Sequence, residues 1–134
     1  MSAERRLIYL DSSAIVKLAV AEPESKVLRR HLSRGQRLVS SALARTEVAR
    51  ALLPSGPDAL ERGDEVLRRI ELVRVNDRVL REAGRLMPAE LRSLDAIHLA
   101  SAGQLGSAVK QIVTYDERMG GAAEALGFSV ASPS

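Results

Sequence analysis

Leu7-Ile8-Tyr9-Leu10-Asp11-Ser12-Ser13-Ala14-Ile15-Val16-Lys17-Leu18-Ala19-Val20 is the stretch from which the fold can be read. Leu7 to Leu10 form an unbroken apolar run, as expected of a strand covered on both faces; a half-exposed strand would alternate. Then the period changes. Over residues 13–20 the apolar positions Ala14, Ile15, Leu18 and Ala19 fall on one helical stripe. Asp11-Ser12-Ser13 stands at the junction, where a helix start needs a cap. In open parallel sheets ligands bind outside the carboxyl ends of the strands, so Asp11 also sits where chemistry is expected.

The same alternation continues along the chain. Further apolar runs at 38–39, 72–75, 112–114 and 128–131 predict four more strands. Helical patterns occupy 25–32, 41–53, 59–70, 78–86 and 94–105, and a last helix runs over about 121–126, closed by Gly127. Pro54-Ser55-Gly56-Pro57 should end one helix and start the next, and the Gly120-Gly121 pair reads as a turn. Strands alternating with helices predict an α/β fold around a central parallel sheet of about five strands. At 134 residues the chain fits one domain, residues 1–134.

Composition narrows the function. Cysteine is absent, which removes disulfides, zinc–thiolate sites and a cysteine nucleophile together. Arg5 and Arg6 precede an apolar stretch in the manner of a secretory leader, but Asp11 and Lys17 interrupt it. No segment approaches the roughly 20 apolar residues of a membrane span. The expectation is a soluble cytoplasmic protein with no membrane partner. Net charge is +3, and of 20 basic residues only three are Lys. Arginine forks match phosphate bidentately, which suits a polyanionic partner, although arginines such as Arg62 and Arg69 could equally pair with Glu61 and Glu65 on a helix face. Tyr9, Tyr115 and Phe128 are the only aromatics, too few for a base-stacking platform.

Four acids stand out. Asp11 and Asp116 follow predicted strands, and each could serve simply as a helix cap. Glu47 shares a helix face with Leu43, Ala44 and Ala51, beside the apolar stripe; Arg50 offers it an ordinary ion pair. Asp95 opens the Ala-rich helix, again a capping position, with His98 three residues on. A core or supporting role is the favoured reading of His98, and His31 receives none. Gathered in one cleft without matching lysines, four carboxylates would repel one another. A divalent cation resolves that conflict, and hard oxygen donors select Mg²⁺ or Mn²⁺.

The quoted segments resemble those of PIN domains, and of VapC toxins in particular. Residues 9–17 are similar to the family's opening strand and helix, and Thr46-Glu47-Val48-Ala49-Arg50-Ala51 to its central glutamate helix. Leu94-Asp95-Ala96-Ile97-His98-Leu99-Ala100 is the most specific match, and Val113-Thr114-Tyr115-Asp116 resembles the strand before the final acid. The resemblance implies a PIN-like three-layer α/β/α sandwich and an Mg²⁺- or Mn²⁺-dependent endoribonuclease. It further implies a homodimer neutralised by a small cognate antitoxin. Asp11, Glu47, Asp95 and Asp116 would be its catalytic, metal-binding carboxylates. Ser13 would support Asp11, Thr114 would do likewise near Asp116, and Arg92 would contact RNA phosphate.

Other enzymes fit less well. A haloacid-dehalogenase-type phosphatase needs a second Asp where Ser13 stands. The glycine signatures of phosphate-loop and Rossmann nucleotide-binding domains are absent, as is G-x-S-x-G. A receiver domain needs a Lys after a late strand, and Lys110 precedes the run at 112–114. The remaining alternative is a catalytically degenerate PIN domain that only binds RNA or protein.

Overall fold

The computed structural model describes residues 7–134; Arg5 and Arg6, weighed above as the start of a leader, lie outside the described residues. The chain runs through β1 (Leu7–Leu10), α1 (Ser12–Ala19), α2 (Ser25–Leu32), β2 (Arg37–Ser41), α3 (Ala44–Leu52) and α4 (Pro57–Leu67). It continues through β3 (Glu71–Val73), α5 (Asp77–Ala83), α6 (Ser93–Leu105), β4 (Val109–Val113), α7 (Glu117–Ala125) and β5 (Val130–Ala131). All strand pairings are parallel, in the order β3-β2-β1-β4-β5. The unbroken apolar run of β1 is explained by its place: it is central, and all four residues are buried.

Helices cover both faces of the sheet. Ile8 and Leu10 pack with Ala14, Ile15, Leu28, Val48, Leu52 and Ala59 from α1–α4. Leu7 and Tyr9 face the other way, against Leu99, Met119 and Ala123 of α6 and α7. Each large aliphatic side chain so enclosed contributes about 1.5–3 kcal/mol. Val79 and Ala83 of α5 pack on Ala96 and Ala100 of α6, whose small side chains allow a close approach. No helix among the described residues is long and apolar enough to cross a membrane.

Several sequence expectations are corrected here. Gly120-Gly121 is no turn. Both glycines lie inside α7, which starts four residues earlier than its apolar pattern because Asp116 caps it. β4 begins at Val109, where it pairs with Leu7, so Lys110 lies within the strand; the lysine a receiver needs after the strand is still missing. The helix read over 41–53 starts at Ala44, since Ser41 extends β2 to pair with Val73. By contrast, the Pro54–Pro57 segment punctuates as expected: Gly56 takes φ 94° and Pro57 opens α4. Gly127 likewise closes α7 at φ 96°.

β1 connects through α1 and α2 to β2 on one side, and the chain later crosses to β4 on the other. The sheet therefore changes winding direction at β1, and a crevice opens there beyond the carboxyl ends of the strands.

Candidate active site

Asp11 forms the floor of this crevice. Its backbone N–H still pairs with the Val113 carbonyl, so the β1–β4 ladder carries it to the sheet edge. The side chain is 4% exposed. Its Oδ1 accepts from Ser13 Oγ at 2.6 Å and from the Ala14 N–H at 3.0 Å, and Oδ2 accepts from Thr114 Oγ1 at 2.5 Å. The capping role expected from sequence is thus real, but a cap alone needs neither the burial nor the two hydroxyls. Ser13 is one of the three donors to Asp11. Thr114 was expected to act near Asp116, yet its hydroxyl donates to Asp11 and accepts from the Asp116 N–H at 3.0 Å, bridging the two acids.

Glu47 approaches from α3. The ordinary ion pair with Arg50 does not form: Arg50 is exposed, and Glu47 Oε1 accepts from His98 Nε2 at 2.6 Å and from Ser12 Oγ at 2.6 Å. Burial pushes the Glu47 carboxyl up, but the hydrogen bonds from His98 and Ser12 outweigh it and hold the group below its usual value. His98 is 2% exposed, in the core as expected, and its Nδ1 lies 2.7 Å from the Tyr9 hydroxyl.

Asp95 is the third residue of α6, half-buried, and does not cap the helix; Arg92 holds the N-cap position without a side-chain bond. Burial raises the Asp95 carboxyl above its ordinary value, the Asp116 charge raises it further, and Asp11 adds to this against the opposing pull of His98 and Arg92. Asp116 caps α7, its Oδ1 accepting from the N–H groups of Arg118 at 2.9 Å and Met119 at 3.1 Å. Arg92 is exposed at this rim. Arg62, read above as a partner for glutamates, donates to the Ala19 carbonyl at 2.9 Å instead.

All four acids therefore sit at the beginning of a helix: Asp11 and Asp116 as caps, Glu47 and Asp95 in the first turn. This follows from the topology, because helices of a parallel sheet start at its carboxyl edge. The partial positive charge of each helix start moderates the mutual repulsion, by about 0.3–1 kcal/mol per helix. Lys17 does not neutralise the acids; it is held by Glu24 at 2.8 Å and Glu22 at 3.2 Å. Among the described residues no three Asp, Glu or His side chains stand close enough to hold an ion as drawn. In chemistry, however, the set fits a hard divalent cation. Its donors are carboxylate oxygens, burial and the charges of Asp116 and Asp11 disfavour an ionised Asp95 without a cation, and of the two oxygens of Glu47 only Oε1 is committed to the protein.

Sequence reading missed Ser12 and Tyr9 as parts of this network. Tyr9 carried a usable signal, since a phenol in a fully buried strand needs a hydrogen-bond partner. Ser12 carried none, its partner being 35 residues away. Beside the acids, Met87, Pro88, Leu91, Ala122 and Leu126 line an apolar groove of about 740 Å³ that borders Glu117 and Arg118.

Residues 8–125 match the PIN domain family. The chain is 58% identical over 127 residues to Ribonuclease VapC46 of Mycobacterium tuberculosis (strain ATCC 25618 / H37Rv), covering 95% of this chain and 98% of that protein. Ribonuclease VapC47 of Mycobacterium tuberculosis (strain CDC 1551 / Oshkosh) is 38% identical over 132 residues, covering 95% and 97%. Among solved structures, Mycobacterium tuberculosis VapC20, described as a sarcin-ricin loop cleaving toxin, aligns with a TM-score of 0.75 over 94% of this chain and 99% of that one. At 17% identity this likeness speaks to the fold, and it bears out the three-layer sandwich around a parallel sheet. With a match across most of its length and relatives aligned end to end, the chain belongs to the PIN-domain family, among the VapC ribonucleases.

Proposed function

We propose that this chain is an Mg²⁺- or Mn²⁺-dependent endoribonuclease toxin whose cation is held by Asp11, Glu47, Asp95 and Asp116. The observation that carries the reading is the treatment of Asp11. A carboxylate is buried at the crevice floor, three donors hold its two oxygens, and its charge and that of Asp116 both reach Asp95. The bound ion would polarise a phosphodiester and activate a water for in-line attack. The protein's own share is positional. Ser13 and Thr114 fix both oxygens of Asp11, and His98 and Ser12 fix Glu47. Arg92, exposed at the rim, would hold a flanking phosphate.

Kinship with the VapC ribonucleases supports two protein partners, a small cognate antitoxin and a second copy of the chain, acting in the cytoplasm. Exposed Met87 and Leu126, beside the apolar groove, are surface that such partners would cover.

The test is RNA cleavage by the purified chain with Mg²⁺, Mn²⁺ or chelator. Cleavage should appear with either ion and vanish with chelator. Asp11→Asn and Asp95→Asn should each lower the rate by more than about 100-fold without loss of fold. If either variant cuts RNA as fast as the parent, the site is misassigned. Binding of RNA without cleavage under every ion condition would favour the degenerate PIN domain.

A further inference from the structure

One polar chain in this molecule runs deeper than a cation site requires. It starts at the Tyr9 hydroxyl inside the sheet-facing core, passes through both nitrogens of His98, and ends at Glu47 and Ser12 on the crevice wall. Tyr9 is fully buried and His98 nearly so, their rings meeting edge-on at 86° with centroids 5.9 Å apart. An apolar pair would fill this space without the desolvation that two buried polar groups cost, so their retention asks for a role.

We propose that Tyr9 and His98 form an internal strut that positions Glu47, committing one carboxylate oxygen to the protein and leaving the other for the cation. This rests on the metal-dependent reading given above. The direction of each bond follows from elementary chemistry. An ionised Glu47 has no proton to give, so Nε2 of His98 must donate to Oε1 across 2.6 Å. In the neutral ring that leaves Nδ1 as an acceptor, which the Tyr9 hydroxyl satisfies at 2.7 Å. Glu47 therefore fixes the ring tautomer, and Tyr9, donating to Nδ1, supports that tautomer and anchors the ring. Ser12 reaches the same oxygen at 2.6 Å, and Oε2 takes no part in either bond. A glutamate on an exposed helix face would sample many rotamers; this one is held from below by groups anchored in β1 and α6. His98 touches neither substrate nor reacting atoms, so it is a positioning residue.

The chain has two histidines, so a His31→Gln background leaves His98 as the single imidazole in a nitrogen-15 NMR spectrum of the metal-free protein. The expected spectrum has the proton on Nε2, and adding Tyr9→Phe should shift the Nδ1 resonance as its hydrogen-bond donor is lost. A wild-type ring protonated on Nδ1 alone, or a Tyr9→Phe spectrum identical to the parent, overturns the strut. In parallel, Mn²⁺ is titrated into the full chain by calorimetry. Tyr9→Phe and His98→Leu should weaken Mn²⁺ binding by about tenfold or more. His98→Gln, which keeps a donor towards Glu47, should recover part of the loss. Kinetically, kcat should fall with KM for RNA little changed. Mn²⁺ affinity equal to the parent in Tyr9→Phe and in a folded His98→Leu overturns the proposal. If the parent itself binds no Mn²⁺, the metal-dependent reading fails instead, and the tautomer spectrum still decides the strut.

Discussion

A carboxylate shut away from water is tolerable only when its lone pairs are taken up, and at Asp11 that demand falls on two hydroxyls and one backbone N–H. Thr114→Val keeps the shape of the side chain and removes the 2.5 Å donor. It should cost about 1–3 kcal/mol in urea unfolding and about 10–100-fold in cleavage rate. Asp95 presents the reverse case. Burial, with Asp116 and Asp11 adding to it, raises its proton affinity in the folded state. The native chain thus holds this proton over a pH range just above the ordinary Asp value, where the unfolded chain has released it, and stability falls as pH rises through that range. Above the raised value the ionised group is a standing penalty. Asp95→Asn should therefore melt higher than the parent at neutral pH in chelator, by roughly 2–4 °C, while losing cleavage. Thermal melts should show the gap closing as pH is lowered through the raised value; a lower melting temperature for the variant at neutral pH would contradict the repulsion.

At the level of elements, α4 lies close on α3, the helix that carries Glu47. A Cβ added to Gly63 would fall 2.6 Å from Leu52 Cδ1 and 3.4 Å from Val48 Cγ1, both on α3. Gly63→Val should cost about 1–3 kcal/mol in chemical unfolding and displace the helix that carries Glu47, lowering cleavage as well. The order of elements was legible because apolar runs and helical stripes are local properties, and β1 shows this best. Boundaries were not, since partners set them: β4 reaches back to Val109 to pair with Leu7, and Ser41 stays in β2 to meet Val73. Glycine misled for a related reason. Gly120 reads as a turn in isolation, whereas it lies inside α7, at a position where a Cβ would meet Val130 and Thr114 only at ordinary contact distance. The acids were readable one at a time, each with an ordinary role available. Only tertiary structure replaces Arg50 with His98, 51 residues away, as the partner of Glu47.

Across the whole molecule four of the 17 acids share one edge of the sheet, and the others are distributed along the chain. With a net charge of +3, arginines, the exposed Arg92 at the rim among them, would supply the attraction for RNA. Binding of RNA to the cleavage-deficient Asp11→Asn chain should weaken steadily with KCl. Arg92→Ala in that background should reduce the logarithmic slope by roughly 0.7–1, the share of one phosphate contact; an unchanged slope would place Arg92 off the RNA path. The helix starts beneath the four acids carry a further consequence. Peptide dipoles at these helix starts lower the cost of holding the four carboxylates on one edge of the sheet before any ion is bound. On the metal-dependent reading proposed above, a cation would enter a scaffold that is already closed, so chelator should silence cleavage while leaving the thermal melt of the chain in place.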